Sequence, residues 1–145
     1  MKLDALEARA ARQDRAVAAA RACVGTPFRH QGRQPGHGLD CVGLILQAAR
    51  ELGLAVSVPA DYGRAPDEAR LPWELARAGC RAVPVADQQS ADILLFCVAR
   101  RPRHLALRSD RGMVHAWAQS GRVVEHRISQ DWAARLVSVY RFPGL

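Results

Sequence analysis

One cysteine stands where chemistry is possible. Cys41 lies in "GHGLDCVGLILQAARELGL", residues 36–54, where a glycine-rich stretch runs into an amphipathic helical pattern. Unpaired amides and the helix dipole at a helix start favour an anion, so this position predicts a thiol pKa below the ordinary value. The small residues of "GLDCVG" are expected to leave room for a substrate at the sulfur, and the Cys41 amide can donate to a developing oxyanion. The bland alternative is a buried structural cysteine, the role expected of Cys23, Cys80 and Cys97.

A nucleophilic cysteine needs a base. His104 opens "HLALRS" and His115 lies within "GMVHAW", two strand-like runs separated by "SDRG". If that connection has an even number of residues, such as Asp110 and Arg111 alone, Arg108 faces Met113 and His104 faces Trp117. His115 then shares a face with His104 as its diagonal neighbour. A three-residue turn with a bulge would break this parity. His126, beside Glu125, shows no such pairing and reads as structural; His30 and His37 lie in the loop before Cys41.

These residues need a scaffold. A chain of 145 residues that is 49% hydrophobic suffices for one domain, 1–145, with a core that needs no disulfides. Leu3, Leu6, Ala10, Val17, Ala20 and Cys23 recur near helical spacing over residues 3–23, and "LDCVGLILQAAREL" predicts a second helix closing at Gly53. Between them "VGTPFRHQGRQPGHG" carries two prolines and four glycines and reads as an irregular loop. A short helix is expected around "PDEARLPWELARAG". Strand-like runs follow at "CRAVPV", "DILLFCV", "HLALRS", "GMVHAWA", "RVVEHR" and "VSVYRF", with a short helix at "SQDWAARL". Helices first and antiparallel strands after predict an α+β domain.

Taken in order, "GTPFRHQGRQPGHGLDCVGLI", "ADILLF" and "HLALRSDRGMVHAW" resemble the NlpC/P60 cysteine peptidases, over about residues 20 to 117. The segment "TPFRHQG" is similar to the phage-tail and gene-transfer-agent branch of small cell-wall peptidases. The resemblance implies a papain-like fold, Cys41 as nucleophile, His104 as base and His115 as the group that orients His104. It implies an ion pair between the Cys41 thiolate and His104, and hydrolysis of amide bonds in peptidoglycan stem peptides without a cofactor. It also implies a tyrosine hydroxyl before the cysteine that helps bind the oxyanion. Phe28 stands at that place and cannot donate, which leaves His30, Gln31 or a backbone amide to supply the bond. Asp40 is placed to cap the helix; its carboxylate would oppose a thiolate.

The net charge of +7, with Lys2 the single lysine among 21 cations, favours an anionic partner. A nucleic-acid partner is not expected, because Trp73, Trp117 and Trp132 are not interleaved with basic residues as a stacking platform needs. The histidines and cysteines lack zinc-like spacing, so no metal is expected. The N-terminus carries charges every few residues, which predicts neither a signal peptide nor membrane insertion. Synthesis in the cytoplasm and delivery on a phage-like tail, with tail proteins as partners, follow as expectations. The alternative function is an inactive structural component of a tail tip.

Overall fold

The computed structural model describes residues 2–64 and 69–145. The chain begins with α1 (Lys2–Arg21), a two-stranded ribbon of β1 (Arg33–Gln34) and β2 (Gly38–Leu39), then α2 (Cys41–Glu51) and α3 (Arg70–Arg77). Then follow β3 (Arg81–Val83), β4 (Ile93–Val98), β5 (Arg101–Ser109), β6 (Gly112–Trp117), β7 (Arg122–His126), α4 (Gln130–Ala134) and β8 (Leu136–Arg141). Pro66, Asp67 and Glu68 of the helix expected around "PDEARLPWELARAG" lie outside the described residues.

Strands β3 to β8 form one antiparallel sheet in the order β3-β8-β4-β5-β6-β7, which makes this an α+β domain. Alternation along β4 serves two cores. Ile93 and Leu95 join the larger one with Ala16, Val17 and Ala20 of α1 and Leu44, Ile45 and Ala48 of α2. Leu94 and Phe96 join Ala106, Met113 and Val139 in a smaller core on the other face, flanked by Trp132 of α4. A buried ion pair ties the sheet together: Arg141 of β8 donates to both oxygens of Asp92 at 2.8 Å, just before β4.

Two expectations differ from the structure. Only the C-terminal half of α1 packs, so Leu3 and Leu6 are exposed, because its buried residues begin at Ala16. The loop before Cys41 also contains the β1–β2 ribbon and is closely packed. A Cβ at Gly43 would fall inside contact distance of the Gly32 carbonyl oxygen, and one at Gly38 would meet the Arg29 side chain at 2.7 Å. Thus Gly43 is needed for backbone packing of α2 against this loop; the substrate-access role expected of it is not the constraint seen.

Candidate active site

Asp40 builds the start of α2. It is the N-cap residue, in extended conformation, and accepts from the Gly43 amide at 2.8 Å. The carboxylate is buried and fully engaged: it also accepts from the Gln31 amide at 2.9 Å, the Tyr62 hydroxyl at 2.5 Å and Arg33 Nη1 at 3.1 Å. This fixes Cys41 as the first residue of the helix, with a backbone N–H that the helix itself cannot satisfy.

Residue Cys41 is half-buried and its sulfur rests against β5, where the Leu105 amide donates to it, as does its neighbour Val42. Burial pushes the thiol up to about 12, Asp40's charge adds to the rise, and the two amides and Arg33 oppose it. These contributions run against the lowered pKa expected from the helix start. A helix dipole contributes about 1 kcal/mol, less than one pKa unit, and desolvation of a sulfur packed against β5 can outweigh it.

The connection between β5 and β6 is the two residues Asp110 and Arg111, and Arg108 faces Met113 as parity requires. Backbone pairing runs only from this turn to Leu107 and Val114. Beyond it a side-chain bond spans the strands: His104 Nε2 lies 2.7 Å from His115 Nδ1. A second bond extends the line, with His115 Nε2 at 2.8 Å from His126 Nε2, and His126 Nδ1 ends it on the Arg127 carbonyl at 2.8 Å. His126 is thus the third ring of a chain, a correction to the expectation that it shows no such pairing. Its neighbour Glu125 belongs elsewhere, bonded by Arg21 and Ser109.

Aromatic rings enclose this line. Trp117 and Trp132 stand 4.9 and 5.6 Å from the His104 ring, and Trp132 lies edge-on to His115 at 5.2 Å. Burial pushes His104 well below the usual imidazole range, and the neighbouring His115 adds to the fall. Burial likewise pushes His115 down to about 3, helped by His126. Burial thus favours the neutral forms of the Cys41 thiol and of the His104 and His115 rings, against the expected thiolate–imidazolium pair.

A cleft of about 270 Å³ opens over Cys41 and His104, with Phe28, His30, Asp40, Tyr62, Arg64, Arg103 and Trp117 among its lining residues. Of the loop candidates, Phe28, His30 and Asp40 reach this cleft. Gln31 does not, because its side-chain amide donates to the Tyr62 carbonyl at 2.6 Å. His115 lies behind His104. Tyr62, edge-on to His30 at 5.7 Å, carried no signal in its Pro- and Gly-rich surroundings. Among the described residues no group of three or more His, Cys, Asp or Glu is arranged to hold a metal ion.

Known structures share this architecture. A crystal structure of a protein from Bacillus cereus described as NlpC/P60 family matches 90% of the chain with a TM-score of 0.67 and 18% identity. The NlpC/p60 domain of the peptidoglycan hydrolase SagA matches 90% of the chain, and 98% of that domain, with a TM-score of 0.64 and 20% identity. The chain has the NlpC/P60 fold. RipD of Mycobacterium tuberculosis, described as a non-catalytic NlpC/p60 domain protein adapted to peptidoglycan binding, shares that fold over 89% of the chain and 95% of its own, at a TM-score of 0.60 and 17% identity. The chain spans 40% of the length of the Bacillus cereus NlpC/P60 protein. No family model matches the sequence, and neither does any curated protein.

Proposed function

We propose that this chain is a cysteine peptidase that hydrolyses amide bonds of peptidoglycan stem peptides, with Cys41 as nucleophile, His104 as base and His115 orienting His104. The observation that carries this reading is one cleft lined by a helix-start cysteine and by a histidine bonded to a second histidine. Solved proteins of the same fold that are described as peptidoglycan hydrolases support the substrate class.

In the proposed reaction the neutral pair acts in concert. Cys41 Sγ attacks the amide carbonyl as its proton passes to His104, and the carbonyl oxygen gathers charge that the Cys41 amide can meet. His104 then protonates the leaving amine as the C–N bond breaks, and water, deprotonated by His104, releases the acyl group from sulfur. Through this cycle the transient imidazolium keeps its bond to His115. Arg64 and Arg103 have no carboxylate partner among the described residues, which suits a substrate carrying carboxylates. Delivery on a phage-like tail is part of the proposal and rests on the segment Thr26–Gly32 alone.

A second reading is a peptidoglycan-binding protein without activity, favoured by Phe28 in the cleft and the raised thiol. Incubation with purified peptidoglycan and mass spectrometry of the soluble fraction separates the two. New fragments with the wild type and none with Cys41→Ala are expected. Binding without fragments in the wild type would replace the peptidase by the binder.

A further inference from the structure

The three-ring line has a direction, and one atom sets it. A backbone carbonyl only accepts, so the bond to the Arg127 carbonyl requires a proton on His126 Nδ1. Neutral His126 then has a bare Nε2, which must accept, so His115 donates from Nε2. His115 Nδ1 is then bare and accepts from His104 Nε2, which leaves His104 Nδ1 as the ring's free base.

Resting on the cysteine–histidine chemistry proposed above, we infer that His126 is a positioning residue: anchored by the Arg127 carbonyl, it dictates the tautomers of His115 and His104 and keeps His104 Nδ1 ready to take a proton. His126 is half-buried and its bond to Arg127 is exposed, so solvent reaches the outer end of a line whose inner rings are buried. Among the described residues no carboxylate is bonded to that end. Glu125 is held by Arg21 and Ser109, with Arg111 3.7 Å away, and the other rings facing the line are Trp117, Trp132 and Phe96.

Long-range proton–nitrogen NMR of the ¹⁵N-histidine-labelled full chain reads the tautomers without any substrate. The wild type is expected to show His104 and His115 protonated on Nε2 with bare Nδ1. In His126→Gln the amide oxygen accepts from His115 and the amide N–H reaches the Arg127 carbonyl, so the same pattern is expected. In His126→Ala both inner rings are expected to mix tautomers, and iodoacetamide labelling of Cys41 at neutral pH to slow by about tenfold or more. A proton on His104 Nδ1 in the neutral wild type overturns the inference, as does an Ala variant with unchanged nitrogen signals and labelling. Should the Ala variant unfold by circular dichroism, the Gln variant decides: inner rings that leave the wild-type tautomers there overturn the inference. Peptidoglycan release plays no part in these readouts, so a failure of the peptidase reading leaves them interpretable.

Discussion

Two polar networks flank the same sulfur, and they are built on opposite principles. At the start of α2, one buried carboxylate gathers an arginine, a phenol and two backbone amides, and every partner donates to Asp40. Behind the cleft, three imidazole rings pass one bond to the next, and only the Arg127 carbonyl gives the line its sense. A carboxylate acceptor met only by donors gives every bond in the first network a fixed sense. Imidazoles accept and donate interchangeably, so the second depends on where its protons are.

The sharpest break of this contrast is to remove the proposed base. His104→Ala is expected to lower peptidoglycan fragment release by about 10²–10⁴-fold with the far-UV spectrum unchanged, because the proposed general base is lost. Survival of more than about a tenth of the activity would place the base elsewhere.

Removing the carboxylate should act on the fold instead. Asp40→Ala leaves the Arg33 charge, the Tyr62 hydroxyl and two amides without their acceptor, a loss of about 3–5 kcal/mol in urea unfolding. Asp40→Asn is the milder form. It removes one cause of the raised thiol, so the pH profile of Cys41 alkylation should move toward lower pH.

Stability should report the neutral rings directly. His104 and His115 are lowered in the folded state, so below 6.5 the unfolded chain binds more protons. Their contribution is intact above about pH 6.5 and is lost as pH falls, continuing to about 3 for His115, by up to about 1.4 kcal/mol per pH unit for each proton. The raised Cys41 acts at the other end: its contribution is present below pH 9 and fades as pH rises toward 12. Chemical unfolding at a series of pH values should give a plateau between these limits; a flat profile from pH 4 to 7 would mean that the rings are not held neutral.

The smallest effect is expected at Phe28. Phe28→Tyr adds a hydroxyl to the cleft lining, with stability changed by less than about 0.5 kcal/mol and fragment release raised. Lower release would show that the apolar wall matters more than a donor.

Much of this site was legible along the chain, because its pieces are local. Asp40 as cap, the Cys41 helix start and the stop at Gly53 follow from residue types within a few turns of each other. The parity of β5 and β6 follows from two turn residues. The same counting applied once more would have found His126. Trp117 pairs with Arg122 across an even connection of four residues, which sets His126 diagonal to His115 on one face.

Tertiary structure alone decided the rest. Tyr62 reaches Asp40 across 22 positions, and Trp132 of α4 covers rings on β5 and β6; neither pairing leaves a periodic trace. The state of the sulfur is the clearest case. Its place at a helix start is written in "GLDCVG" and predicts an easily ionised thiol. Burial against β5 reverses the sign, because the dipole is a local term that the sequence shows, whereas desolvation is a property of everything the fold packs around the atom.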